Sequence, residues 1–224
     1  MTRFRLEPRG EPPPVVVLAA SLGAILAALI VTGFIFWGFG INPFFAYGTL
    51  LKATLGDFRG FSEVLRKTVP LLLAGVGLVL AFRARFWNIG AEGQLLAGAV
   101  AATGVALFTP VPPALTVPTM FAAGFLGGAL WGLLPAVLKV RLGVNEIITT
   151  LMMNYIALYL VQYLIHGPWR GQSMMGFAYT DRFPAHAALP LIAGTRLHWP
   201  TLLIAVALAL AVALLLVRTR LGYE

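Results

Sequence analysis

The chain has 224 residues, of which 59% are apolar, and only 24 side chains are charged (16 Lys or Arg and 8 Asp or Glu). That apolar share could supply six membrane-spanning helices of about 20 residues each, and a water-soluble domain of this size could not bury it. The composition predicts an integral membrane protein and excludes disordered, collagen-like and disulfide-rich secreted classes. Because there is no cysteine, thiol catalysis and Cys-based metal sites are excluded as well.

The start of the chain predicts a polar tail followed by a first spanning helix. Residues 1–14 are proline-rich and basic, and residues 15–39 follow without a single charge. This apolar stretch is too long for the hydrophobic region of a signal peptide, so we expect an uncleaved helix with a cytoplasmic N-terminus. Lys and Arg in cytoplasmic loops also explain the net charge of +8, so nucleic acid is not an expected partner.

Residues 44–66 predict an amphipathic helix. Apolar side chains recur there at intervals of three, four or seven, while Lys52, Arg59 and Arg66 recur at intervals of seven on another face. This pattern is typical of a helix that lies in the plane of the membrane interface.

A polar interruption with two glycines, residues 88–94, separates two short apolar stretches, residues 69–82 and 95–108. Each stretch would span about 21 Å as a helix, which is short of a hydrocarbon core of about 30 Å. Short apolar pieces around such an interruption are typical of discontinuous helices that line a transport pathway. We therefore expect a discontinuous segment at residues 83–95.

The remaining sequence predicts three more complete spans. Residues 93–138 carry no charge and are divided by a cluster of prolines, and a stripe of glycines spaced by four (124, 128 and 132) favours close helix packing. Residues 147–165 and 201–217 supply the last two spans, around a long outer loop. The predicted fold is an all-α integral membrane protein with about six transmembrane helices, organised as a tail (1–14) and one transmembrane domain (15–224).

The first cluster of polar residues lies in the interruption. Its members are Asn88, Gly90, Glu92, Gly93 and Gln94. The backbone groups freed by a broken helix must face protein or a wet cavity, so this segment could line a solute path or support its gate. In the alternative interpretation, Glu92 pairs with Arg83 or Arg85 at the inner membrane edge and only stabilises the fold.

The second polar cluster opens the span at residues 147–165. Its members are Asn145, Glu146, Thr149, Thr150, Asn154 and Tyr155. Asn145 is expected to cap the helix, Glu146 suits its positive end, and the threonine hydroxyls can bond to the preceding turn. Asn154 lies in mid-span, where an amide needs a partner on another helix or a polar solute, so it is the strongest candidate for the pathway.

The sequence predicts no catalytic residue and no metal site. Its three histidines are far apart and fall in or beside the outer loop, and no phosphate-binding loop of the Gly-x-x-x-x-Gly-Lys type is present. We therefore expect no cofactor to be bound by this chain.

Residues 86–94 (FWNIGAEGQ) and 143–157 (GVNEIITTLMMNYIA) closely resemble two signatures of bacterial ABC-transporter permeases. The subgroup is the one for nucleosides and simple sugars, which is related to the ribose and branched-chain amino-acid permeases. The matching positions are Asn88, Gly90, Glu92, Gly93, Gln94, Asn145, Glu146, Asn154 and Tyr155.

The resemblance implies a permease subunit of an ATP-driven importer in the bacterial inner membrane. Its expected partners are a second permease subunit, cytoplasmic ATPase subunits that use the ATP, and an extracytoplasmic solute-binding lipoprotein. Family members are longer, so the chain looks like the N-terminal two-thirds of a permease. The alternatives are an ion-coupled secondary transporter, in which Glu92 or Glu146 would titrate, and a membrane-embedded enzyme, for which we find no convergent catalytic groups.

Overall fold

The computed structural model describes residues 13–219, so most of the predicted tail lies outside the described part of the chain. The seven α-helices of the described residues are α1 (Pro14–Gly38), α2 (Pro43–Leu55), α3 (Phe58–Arg83), α4 (Ala91–Phe108), α5 (Pro113–Leu142), α6 (Glu146–His166) and α7 (Trp199–Arg218). The chain forms two compact units, which divide after Phe61.

Six of these helices are long and apolar enough to cross a membrane, namely α1, α3, α4, α5, α6 and α7. This confirms the predicted all-α fold with about six transmembrane helices. The remaining helix, α2, has 13 residues and is too short for a span.

The first unit is a helical hairpin built from α1 and α2. The Asn42 side chain begins α2 by accepting a hydrogen bond from the Phe44 N–H at 2.9 Å. The Tyr47 hydroxyl then donates to the Leu29 carbonyl of α1 at 2.5 Å, which holds the two helices together.

The expectation of one amphipathic helix over residues 44–66 is wrong. Helix α2 ends at Leu55, and the carboxylate of Asp57 accepts a hydrogen bond from the Gly60 N–H at 2.5 Å at the beginning of α3. The apolar period continues across this junction because the junction is short. Periodicity alone therefore could not reveal that one helix ends and another begins there.

The predicted discontinuous segment, residues 83–95, is present but narrower, since residues 84–90 are the non-helical ones and residues 91–94 already belong to α4. We call residues 84–90 the break. The expectation that a short apolar piece precedes it is wrong, because α3 has 26 residues, enough for about 39 Å. The polar residues before position 69 continue the same helix. Helix α4, after the break, has 18 residues.

Helices α4, α5 and α6 pack together in the second unit. Gly98 of α4 lies against Gly124 of α5 so closely that a Cβ atom at Gly98 would be 2.8 Å from the Gly124 carbonyl oxygen. The glycine stripe of α5 therefore faces α4, as its spacing predicts. On α6, the carbonyl of Met153 accepts a hydrogen bond from the Trp131 indole N–H of α5 at 3.3 Å.

The outer loop, residues 167–198, is ordered by short-range contacts. The Ser173 hydroxyl donates to Asp181 at 2.5 Å, and this hydrogen bond holds the pKa of the Asp181 carboxyl below its usual value. A 3-10 turn at Ala185–Ala187 packs against α5, and Ala187 is buried.

Candidate functional site

One face of α6 holds the backbone of the break. Glu146, Thr150 and Asn154 are spaced by four and therefore lie above one another on the helix. Glu146 accepts a hydrogen bond from the Trp87 N–H at 3.4 Å, and the Thr150 hydroxyl accepts one from the Ile89 N–H at 3.2 Å. Successive turns of α6 thus bind the backbone of Trp87 and of Ile89, two residues of the break.

Asn154 continues this series and uses both ends of its amide. Its oxygen accepts a hydrogen bond from the Gly93 N–H at 2.8 Å, and its nitrogen donates to the Ile89 carbonyl at 2.9 Å. The Gly93 N–H belongs to the first turn of α4, where backbone donors have no partner within the helix. Asn154 therefore caps α4 from a neighbouring helix, and the predicted partner on another helix is found.

Gly93 makes this contact possible. A Cβ atom there would lie 2.9 Å from the Asn154 side-chain oxygen and 3.0 Å from the Met153 carbonyl oxygen. Any larger residue would separate α4 from α6.

The start of α6 has the predicted cap. The Asn145 side chain accepts hydrogen bonds from the Ile147 N–H at 2.9 Å and the Ile148 N–H at 3.4 Å. The hydroxyls of Thr149 and Thr150 bond to carbonyls of the preceding turn, as expected.

A basic side chain of α5 lies at the end of the helix bundle where α6 begins. The Lys139 ammonium group pairs with the Glu146 carboxylate, donates to the Arg85 carbonyl at 3.0 Å and lies 5.2 Å from the centre of the Phe86 ring. It also supports an unusual backbone, because Arg85 has a φ of 54°. Lys139 thus connects α5, the break and α6.

Sequence reasoning missed the role of Lys139, because it attributed Lys and Arg residues in general to cytoplasmic loops and singled out none of them for the site. The alternative interpretation, in which Glu92 pairs with Arg83 or Arg85, is wrong. Glu92 is exposed and forms no ion pair within residues 13–219. The signal that could have indicated Lys139 is its position across the short α5–α6 turn from Glu146, an acid at a helix N-terminus.

On the other side of the break lies a cavity of about 710 Å³, bounded by α3, α4, α5, α7 and the outer loop. Its wall is mainly apolar and contains many small residues, among them Ala74, Gly77, Gly98, Ala102, Gly124 and Gly128. Of the described residues that line it, two have polar side chains, Asn88 and Gln94. Their amides place a polar patch on an otherwise apolar wall.

The two amides also contact one another. Asn88 is only 8% exposed, and its oxygen accepts a hydrogen bond from the Gly90 N–H at 2.8 Å. Its nitrogen donates to the Gln94 side-chain oxygen over a long 3.4 Å. Asn88 is therefore held by the break, whereas Gln94 has hydrogen-bonding capacity that these contacts do not use.

The structure divides the sequence-predicted site residues into three groups. Those that line the cavity through a side chain are Asn88 and Gln94. Those that build the break, hold it or cap the helix that holds it are Gly90, Gly93, Glu146, Asn154 and, as the cap of α6, Asn145. Glu92 and Tyr155 are exposed and lie outside the cavity lining. Within residues 13–219 no group of three His, Asp or Glu side chains could hold a metal ion.

Comparison with known proteins places this arrangement in a family. Residues 60–224 match the model of the permease component of branched-chain amino acid transport systems. No solved structure gives a significant match.

Three curated relatives are named as ABC transporter permeases. The chain is 38% identical to the glucose ABC transporter permease protein TsgB13 of Haloferax volcanii, over 99% of this chain and 60% of that protein. It is 31% identical to the nucleoside permease protein NupB of Lactococcus lactis, over 93% of this chain and 58% of that protein. It is 36% identical to the guanosine permease protein NupP of Bacillus subtilis, over 66% of this chain and 42% of that protein.

The chain thus spans three-fifths or less of the length of these relatives. The family match covers the second unit, which contains the break, the polar face of α6 and the cavity. The protein is therefore a multi-pass membrane protein of the family of permease components of branched-chain amino acid transport systems.

Proposed function

We propose that this protein is a membrane-spanning permease subunit of an ATP-driven importer, and that it translocates nucleosides or related simple sugars across the cytoplasmic membrane. The observation that carries the proposal is the cavity of about 710 Å³, whose apolar wall has an amide patch beside the break. The family match supports the permease role. The names of the relatives, which include nucleoside, guanosine and glucose permeases, support the solute classes.

The partners follow from this function. The chain needs an ATPase on the cytoplasmic side, a second permease subunit of the same or a related sequence, and an extracytoplasmic lipoprotein that delivers the solute. ATP would be used by the ATPase subunits, and the permease would hold no cofactor. Alternation between outward-open and inward-open states requires the partners to bind the two states with different affinities.

The orientation follows from charge. The end of the second unit that contains the break also carries Arg83, Arg85, Lys139, Arg141 and Arg218. We place this end in the cytoplasm, because basic residues concentrate on that side of a membrane. The same rule places the N-terminus in the cytoplasm.

The function is tested by reconstitution. Proteoliposomes containing the protein, its ATPase subunits and the binding lipoprotein should accumulate labelled nucleoside or sugar only when ATP is trapped on the ATPase side. Accumulation should persist when a protonophore removes the ion gradient. Accumulation that needs an ion gradient and no ATP would contradict the proposal and favour a secondary transporter. Recovery of a chemically altered solute would favour an enzyme.

Cysteine labelling tests whether the cavity is part of the pathway. Because the chain has no cysteine, Ala91→Cys and Ala102→Cys each introduce a unique thiol on the cavity wall. A hydrophilic maleimide should modify both in at least one nucleotide state of the transporter. Failure to label in every nucleotide state would remove the cavity from the pathway.

A further inference from the structure

Gln94 and Asn88 differ from the rest of the cavity wall in their chemistry. Every other described side chain that lines the cavity is aliphatic, aromatic, a methionine or a glycine. A solute in this cavity can therefore form side-chain hydrogen bonds at one patch and must contact apolar surface elsewhere.

This distribution separates the two solute classes named above. A free sugar carries a hydroxyl on nearly every carbon, and a hydroxyl buried without a hydrogen-bond partner is unfavourable. Two amides cannot serve that many groups. A nucleoside carries fewer hydroxyls than a free pentose or hexose, all of them on its ribose, and its base adds two apolar faces that suit the rest of the wall. The polar atoms of the base lie around its rim, where Asn and Gln amides bind through paired hydrogen bonds.

The amide of Gln94 is available for that role. Within the described residues its oxygen accepts one long hydrogen bond, from Asn88, and its nitrogen donates none. The nitrogen lies against Gly132 of α5, where a Cβ atom would be only 2.8 Å away. The missing side chain at Gly132 thus provides the space that the amide occupies.

The wall also offers apolar surface for the faces of a base. The backbone of Gly128 lies against that of Gln94. Phe121 precedes Gly128 by two turns of α5, and both residues line the cavity. Stacking of a base on an aromatic ring is favourable and tolerates any base, because every base has an apolar face.

We propose that Asn88 and Gln94 form a recognition subsite for the base of a nucleoside, with Gly132 as the positioning residue for the Gln94 amide, and that the cavity discriminates against free sugars. The proposal rests on the proposed function and specifies its solute.

The test uses protection of a thiol in the cavity. Membranes containing the transporter with Ala102→Cys are treated with maleimide in the presence of adenosine, guanosine, ribose or glucose at equal concentrations. The two nucleosides should slow labelling, whereas ribose and glucose should leave its rate unchanged. Gln172→Cys, in the exposed outer loop, is the matched control, and no solute should protect it.

Two variants identify the residues. Gln94→Leu in the Ala102→Cys background should raise the nucleoside concentration needed for half-protection about tenfold, which corresponds to about 1.4 kcal/mol. Gly132→Ala should have a smaller effect of the same sign, because it displaces the amide without removing it. Gln94→Asn, which retains an amide, tests whether any loss reflects hydrogen bonding rather than misfolding, and it should restore part of the protection.

The outcomes distinguish this inference from the proposed function. Equal protection by glucose and nucleoside, or undiminished protection in Gln94→Leu, would overturn the subsite while leaving ATP-driven transport intact. Absence of labelling at position 102 in every nucleotide state would overturn the subsite together with the cavity's place in the pathway.

Discussion

The two sides of the break use similar residues for different purposes. Toward α6, the amide of Asn154 and the hydroxyl of Thr150 are engaged by backbone groups of residues 89 and 93. Toward the cavity, the nitrogen of the Gln94 amide donates no hydrogen bond to any part of the chain that the structure describes. The α6 side is therefore expected to determine stability, and the cavity side to determine transport and selectivity.

The largest loss of stability is expected for Asn154→Leu. The substitution leaves the part-buried Gly93 N–H and the more exposed Ile89 carbonyl without their side-chain partners. A buried group left unsatisfied costs about 1–3 kcal/mol, so the Gly93 N–H should contribute most of the loss. The variant should aggregate at a lower temperature in detergent, as measured by fluorescence-detected size-exclusion chromatography after heating.

Tyr155→Phe is the control for this prediction, because Tyr155 is the exposed neighbour of Asn154 and lies outside the cavity lining. It should behave as the wild type. If Asn154→Leu abolished uptake while the protein kept its full thermal stability, Asn154 would be a residue that determines transport rather than stability.

Gly93→Ala should be the next most destabilising change. The added methyl group would meet the Asn154 side chain at 2.9 Å, and overpacking of this kind costs about 1–3 kcal/mol. The measurement is again the midpoint of thermal aggregation.

Gly104→Ala, on the same helix, is the matched control. The nearest atom to its new methyl group would be 3.6 Å away on Trp169, an ordinary contact. Because alanine favours helix more than glycine does, Gly104→Ala should leave stability unchanged or raise it slightly. Equal losses in both variants would mean that close approach at Gly93 is not what matters.

Much of the fold and part of the candidate site could be predicted from the sequence. The features that could not be predicted were missed for physical reasons. Hydropathy indicates six spans because a segment that crosses lipid must satisfy its own backbone hydrogen bonds, and a long apolar helix does so. Asn154 attracts notice because an amide in mid-span needs a partner, but a pattern cannot say whether that partner is backbone or solute. Periodicity could not predict the junction between α2 and α3, because the apolar period continues across it.

The cavity itself could not be predicted. Its volume depends on the spacing of α3 and α7 from the α4–α5 pair, and the residue patterns of α3 and α7 do not encode that spacing as the glycine stripe of α5 encodes close packing with α4. Lys139 was missed for a related reason: a basic residue at the end of a span looks the same whether it sets orientation or binds Glu146.

A moderate effect is expected from Lys139, whose ion pair with Glu146 is partly exposed. Lys139→Met should destabilise the protein because Glu146 and the Arg85 carbonyl both lose a partner. Lys139→Met combined with Glu146→Gln should cost less than the sum of the single changes, because substitutions of residues that contact one another are not additive. Additive losses in thermal midpoints would show that the pair does not act as a unit.

The smallest effect on stability is expected on the cavity side. Ala74→Phe places a ring from α3 into the cavity, where about 710 Å³ is open to receive it. Because no packed neighbour or hydrogen bond is lost, the thermal midpoint should stay within the range of a neutral substitution, about 0.5 kcal/mol. Uptake in proteoliposomes should nevertheless fall sharply, since the ring occupies the space that the solute would cross. Asn154→Leu and Ala74→Phe would then reduce transport for opposite reasons, one with loss of stability and one without. Normal uptake by a stable Ala74→Phe protein would show that the solute crosses elsewhere, and the two sides of the break would no longer differ in function.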